Sequence, residues 1–243
     1  MTLGIRGPRI HLAVSELYPA RVLSNQPAAE AQVILELEVP RDVWAAHLQP
    51  AQYVDFVLPD MLPWHATIAN RPGREIFEFL VKDVGDRSHR IGSLVPGDEM
   101  QITLPMGEGF PVNAYRKIDI IMAASGVAVC AMRAVIEEIL LARLEWHKIM
   151  LFYGERTADR FAFVEERERW REAGIDVHLS ASRPSGGTHW LGHTGYVQDR
   201  IMQMEPETRD AVAFIAGKDG MIEGTKTAFS RLNLPENRII LNL

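Results

Sequence analysis

Lys117–Ala124 (KIDIIMAA) is followed by Ser125-Gly126 and then by an apolar-periodic run from Val127 to Arg143. A buried strand, a tight turn of small residues and a helix start make a site for a pyrophosphate, because unpaired backbone N–H groups and the helix dipole point at the anion. One glycine, Gly126, stands in this turn. Two other groups suit a nucleotide: Arg156, just after Tyr153-Gly154, and Ser182-Arg183, after the next apolar run. A guanidinium matches phosphate geometry, so either arginine is chemically suited to meet a phosphate. In Gly85–Gly92 (GDRSHRIG), Arg87, Ser88 and Arg90 gather at a helix start, which is sound chemistry for a diphosphate. Each group also has a plainer reading: a packed strand-to-helix corner at Ser125-Gly126, an Arg156–Asp159 ion pair, and surface charge at Arg87 and Arg90.

Other chemistries lack their residues. Among the eight histidines, His189 and His193 have i,i+4 spacing, but they flank Trp190-Leu191-Gly192 with no acidic residue between, so no metal site is expected. There is no G-x-S-x-G, no P-loop and no Ser/His/Asp arrangement. The single cysteine, Cys130, rules out an internal disulfide and a cysteine-ligated iron–sulfur or zinc site, and it reads as a core residue in a cytoplasmic protein. A net charge of −6 argues against nucleic acid as a partner. The start, MTLGIRGPRI, does not read as a signal peptide, and no apolar run reaches bilayer length, so membrane insertion is not expected.

The elements that must position these groups fall into two kinds. From about Ile10 to Pro111 the pattern is β: Val33–Val39, Tyr53–Leu58, Glu75–Lys82 and Glu99–Leu104 are short alternating runs separated by turn formers. With one short helix near Ser88–Leu94 they predict a small closed antiparallel barrel. After Tyr115 strands alternate with helices. Strands are expected at Lys117–Ala124, Lys148–Tyr153, Ile175–Ala181, Ala211–Gly217 and Arg238–Leu243; helices are expected near Val127–Arg143, Arg160–Ala173, Tyr196–Met204 and Asp219–Leu232. That is an α/β doubly wound, five-stranded parallel sheet. The expected division is 1–113 and 114–243, with a ligand cleft between the halves.

Seven segments in register resemble the ferredoxin–NADP reductase superfamily. They are Gln49–Leu58 (QPAQYVDFVL), Trp64–Pro72 (WHATIANRP), Pro96–Phe110 (PGDEMQITLPMGEGF), Ile120–Val129 (IIMAASGVAV), Phe152–Arg156 (FYGER), Thr194–Val197 (TGYV) and Ile215–Met221 (IAGKDGM). The resemblance runs from about His11 to Leu243. The wording is nearest to the reductase-like branch that includes a plant fruit protein. It implies a flavin-binding barrel, an NAD(P)-binding domain, FAD as cofactor, NAD or NADP as the nicotinamide nucleotide, and an electron-acceptor protein or small molecule as partner.

The resemblance also assigns positions. The family's flavin motif RxYS falls on Trp64, His65, Ala66 and Thr67, so its phosphate-binding Arg and stacking Tyr are replaced, while Thr67 keeps the hydroxyl near the reacting ring. Trp64 and His65 either offer a stacking surface or are loop residues packed on the barrel. Thr67, Ile68, Ser88 and the stretch from Gly107 to Gly109 are expected to line the flavin, largely through backbone groups. The nucleotide turn GGTGIAP falls on Ala123–Val129, where Ala123 and Ala124 are expected to crowd the dinucleotide. Gly154, Arg156, Ser182, Arg183 and Gly217 complete the nicotinamide side, and Ala216 replaces the family cysteine. Two functions follow. One is a flavin-dependent NAD(P)H oxidoreductase; the other is a non-catalytic relative that binds one nucleotide or none and acts as an interaction or regulatory subunit.

Overall fold

The computed structural model describes residues 16–184 and 190–242. Ile10, His11, His189 and Leu243 lie outside the described residues. The first half contains β1 (Tyr18–Ala29), β2 (Gln32–Glu38), α1 (Arg41–Ala45), β3 (Tyr53–Val57), β4 (Trp64–Thr67), β5 (Ile76–Lys82), α2 (Asp86–Gly92) and β6 (Glu99–Ile102). The strands form one antiparallel sheet in the order β4-β3-β6-β1-β2-β5. Its two ends curl together just past β4, where Ala69 N–H donates to Glu78 O of β5 at 2.7 Å. Alternation decides which side chains fill the inside: Leu35, Leu37, Val54, Phe56, Phe77 and Phe79 are buried there, with Phe56 and Phe79 edge to face at 4.7 Å.

The second half contains β7 (Asp119–Ser125), α3 (Val129–Leu140), β8 (Ile149–Glu155), α4 (Val164–Glu172), β9 (Ile175–Ala181), β10 (His193–Thr194), α5 (Val197–Met204), β11 (Ala211–Ala216), α6 (Asp219–Arg231) and β12 (Ile239–Leu241). All neighbours pair in parallel, in the order β10-β9-β8-β7-β11-β12. Among the described residues the sheet therefore has six strands rather than the expected five. The sixth, β10, is two residues long and carries no periodicity to read. The near-continuous apolar runs of β7, β8 and β11 are explained by burial on both faces. Cys130, Val135, Ile139 and Trp170 from α3 and α4 cover one face; Val197, Ile201, Ile222 and Phe229 from α5 and α6 cover the other. Burial pushes the Cys130 thiol up to about 12, as befits a core residue.

A shared interior joins the halves. Ala51, Ala69, Leu80 and Phe110 of the barrel side belong to the same buried cluster as α3 and β7, and Phe110 stacks on Phe214 of β11 at 4.7 Å. Polar links cross the same boundary. Arg133 of α3 is buried and donates from Nη1 to Ala69 O at 2.9 Å; its Nη2 lies 2.8 Å from Glu78 and its Nε 2.8 Å from Glu166. Gln32 Nε2 of β2 donates to Arg160 O at 2.7 Å. Burial opposes the Arg133 charge, but the Glu166 hydrogen bond and the charges of Glu78, Glu166 and Glu137 outweigh it and raise its pKa. Burial raises the Glu78 pKa as well, with Arg133 opposing.

Candidate functional site

Chain order reverses direction at β7: β8 and β9 build outward on one side, and β11 returns to the other. In open sheets of this order ligands bind outside the carboxyl ends of the strands, at such a switch point. Ser125 ends β7 there. Gly217, just past β11, backs onto it, with Ser125 Oγ 2.7 Å from where a β-carbon on Gly217 would stand. Gly126 opens the turn with φ +60°, a conformation that suits glycine, and a β-carbon built on it meets nothing within 4 Å. A single turn of 3-10 helix (Gly126–Ala128) then leads into α3, and its leading N–H groups lack intrahelical acceptors.

The rest of the predicted nucleotide set stands along the same edge. Gly154 pairs with Ser125 across the ladder, and its hydrogen is required because a β-carbon would come within 2.6 Å of Val197 Cγ2 on α5. Beyond the ends of β8 and β9, Ser182 N–H donates to Glu155 O at 3.0 Å and Arg183 N–H to Arg156 O at 2.7 Å. Arg156 and Arg183 are exposed and Ser182 half-buried. The turn, Gly154, Arg156, Ser182, Arg183 and Gly217 thus share one edge. Ala123 and Ala124 do not crowd it. They lie inside β7, one facing each side of the sheet, fully buried against α5/α6 and α3/α4 respectively. The expected obstruction is corrected: alternate residues of a strand point to opposite faces, so neither methyl reaches that edge.

On the barrel, the predicted residues are mostly engaged in its own structure. The helix begins at Asp86, two residues before Ser88, and Ser88 is buried in its first turn. Its hydroxyl donates to Gly85 O at 2.9 Å and accepts from Val84 N–H at 2.9 Å. The one O–H donor is occupied, so this hydroxyl has none left for a phosphate. Arg90 Nη1 donates to Pro59 O at 2.8 Å, while Arg87 is exposed. Ile68 is buried in the barrel core, and its N–H donates to Gln52 O at 2.9 Å. The loop holding Gly107 and Gly109 is fastened by Gln52 Nε2 to Gly107 O at 2.9 Å and Phe110 N–H to Pro50 O at 2.8 Å.

The RxYS positions divide by strand alternation. Trp64 and Ala66 face the core, Trp64 beside Phe56 at 5.9 Å and Ala66 buried opposite Val54. His65 and Thr67 lie on the outer face, opposite Asp55 and Tyr53. Asp55 holds His65 Nδ1, and the Tyr53 ring meets the His65 ring edge to face at 5.3 Å. Tyr53, Asp55 and the buried bridging Arg133 were not singled out from the sequence. The alternation in YVDFV was visible, but its pairing with WHAT was not.

A buried polar knot sits beside Arg156. Glu155 is within 3.7 Å of Lys82 Nζ and within 3.4 Å of the Tyr153 hydroxyl. Burial, and then the Glu155 charge, keep the Tyr153 phenol well above its ordinary pKa, so it stays protonated. Among the described residues no group of three or more His, Cys, Asp or Glu is placed to hold a metal ion, and no helix is long and apolar enough to cross a membrane.

Comparison with known proteins agrees with this layout. Residues 122–227 match the family described as oxidoreductase NAD-binding domain. The gamma subunit of sulfhydrogenase 1 from Pyrococcus furiosus is 23% identical over 195 residues, covering 78% of this chain and 66% of that protein. The chain spans two thirds or less of the length of these curated relatives. Among solved structures, the cytochrome P450 reductase of Amycolatopsis superposes with a TM-score of 0.81 at 20% identity, covering 94% of this chain and 70% of that one. A ferredoxin NADP+ reductase from Neisseria gonorrhoeae, with bound FAD and NADP, gives 0.79 at 10% identity, covering 94% and 98%. Residues 122–227 thus match an NAD-binding domain family, and the two-domain fold is the one these reductases share.

Proposed function

We propose that the chain is a flavin-dependent NAD(P)H oxidoreductase, with residues 1–113 as the flavin half and 114–243 as the nicotinamide half. The observation that carries this reading is the turn at the switch point, where a β-carbon on Gly126 would meet nothing within 4 Å, at the start of a helical turn whose leading N–H groups have no intrahelical acceptor. A dinucleotide fits those residues. The turn binds its pyrophosphate through Gly126 and the following N–H groups, with Ser125 and Gly217 behind. Gly154 keeps that edge low, and Arg156, Ser182 and Arg183 take the ribose–phosphate end. Exposed guanidinium groups serve a 2′-phosphate or a plain ribose.

The flavin half fits an isoalloxazine at the outer face of β3 and β4, where Thr67 presents a half-buried hydroxyl at the border with the second half. When bound, FAD accepts a hydride from the nicotinamide and passes electrons on singly or in pairs. Thr67 donates or accepts a hydrogen bond at the ring's polar edge, and the Gly107 loop shields that edge from water. Arg87, exposed on α2, is the cation left for the diphosphate; Ser88 and the Trp64 position provide no donor there. The acceptor is a protein or small molecule, and the setting is the cytoplasm. The test is uptake of FAD by purified protein, followed by gel filtration and a visible spectrum. Retained flavin bands support the reading. A protein that stays colourless after FAD loading overturns it.

A further inference from the structure

The flavin reading leaves one role unfilled. A planar isoalloxazine needs an aromatic or broad apolar surface to lie on. The RxYS position that carries the family's ring is Ala66, which is buried in the barrel core, and Trp64 is turned toward Phe56. Neither can present a ring to the outer face.

The outer face has its own ring on the neighbouring strand. Tyr53 is the direct cross-strand partner of Thr67, so the two β-carbons stand about 5 Å apart. Its ring is half-buried rather than free. It is bracketed by His65 on one side, and its backbone pairs with Met106 on the other, N–H to O at 3.1 Å and O to N–H at 2.7 Å. His65 is itself held by Asp55, and its ring meets the Tyr53 ring at an interplanar angle of 77°. The rung also lies where a flavin must meet a nicotinamide. Two residues further along each strand, Ala51 and Ala69 already belong to the cluster shared with the second half, and Ala69 O binds Arg133 of α3.

Resting on the flavin reading above, we propose that Tyr53 is the flavin-stacking residue of this chain, replacing from β3 the ring that β4 lacks. A phenol in van der Waals contact quenches flavin fluorescence by electron donation, and a phenylalanine at the same place does not. That gives a signature that a merely structural ring would not produce.

The experiment titrates the full chain with FAD and follows flavin fluorescence and gel-filtration retention, comparing the parent with Tyr53→Phe, Tyr53→Ala and Trp64→Phe. Far-ultraviolet circular dichroism and thermal melts are recorded for each. The expected result is quenched FAD in the parent and in Trp64→Phe. Tyr53→Phe should keep the affinity within about twofold but regain fluorescence, and Tyr53→Ala should bind about tenfold more weakly, the scale of a lost stacking contact. Quenching and affinity that persist in a folded Tyr53→Phe and Tyr53→Ala overturn this inference and leave the flavin reading standing. A parent that takes up no FAD overturns both. If Tyr53→Ala does not fold, Tyr53→Phe decides alone through its fluorescence.

Discussion

At the carboxyl edge of the parallel sheet, Ser125, Gly126, Arg156, Ser182 and Arg183 stand along one edge, with open space where a β-carbon on Gly126 would stand. Around the barrel, Ser88, Arg90, Trp64 and Ile68 are bound into the barrel's own structure. The contrast separates two ways of building a nucleotide site. A switch-point site is made by strand order, a turn and backbone N–H groups, so it tolerates side-chain change. A barrel-face site depends on which side chains a short strand turns outward. Here the positions that resemble the Arg and Tyr of RxYS read Trp64 and Ala66, and both face the core.

The contrast breaks most visibly at the seam between the halves. Arg133→Ala leaves Glu78, Glu137 and Glu166 facing one another without their shared cation. Loss of a buried partner of this kind costs about 3–5 kcal/mol. Urea denaturation should show that loss, and flavin bound in the parent should be released. A stability change under 1 kcal/mol would mean that the seam is held by the Phe110–Phe214 stack and its apolar neighbours alone.

Acid should weaken the barrel. His47 is buried against Phe77, and burial lowers its pKa to about 4. The unfolded imidazole takes up a proton near pH 6.5 and the folded one does not, so the unfolded state binds more protons between those values. Stability is therefore full above pH 6.5 and is lost as pH falls toward 4, by up to about 3 kcal/mol from this group. Denaturation midpoints measured from pH 7 to 4.5 should fall in the parent and fall less in His47→Leu. Parallel curves for the two proteins would remove His47 from the account.

Two smaller changes sharpen the comparison. Gly154→Ala drives a β-carbon into Val197 and should cost about 1–3 kcal/mol of stability by overpacking. A paired Gly154→Ala/Val197→Ala should recover most of it, as thermal melts would show. Ser88→Ala should cost about 0.5–1.5 kcal/mol, the scale of a lost hydrogen bond, while FAD affinity stays within a factor of two. A tenfold loss of FAD affinity in Ser88→Ala would return this hydroxyl to the diphosphate and erase the contrast drawn here.

Periodicity made long elements legible. The strand at Ile175–Ala181 falls on the expected residues, and α5 and α6 lie within one residue of theirs. β1 escaped notice because Pro19, Pro27 and the polar run Ser24–Gln26 interrupt its alternation, although β2 and β6 pair with it on both sides. β4 and β10 are too short to show a period, and their partners are distant in sequence. The same limit governed the site. Gly126 announced itself because a turn between strand and helix is a local pattern. Ala123 and Ala124 were assigned to that turn by the family motif, although the apolar run had already placed both in the strand that β7 forms. Tyr53 acquires its place only through pairing with Thr67, which no local pattern encodes.

Anaerobic titration of the FAD-loaded chain with NADH and NADPH, in parallel, bears most directly on the joint use of the two halves. The account predicts that at least one nucleotide bleaches the oxidised flavin band, and that Gly126→Val, which fills the open space over the turn, slows that bleaching at least tenfold while leaving FAD bound. Flavin that stays oxidised with both nucleotides would contradict the account and leave a flavin-binding barrel beside a nucleotide turn that performs no hydride transfer.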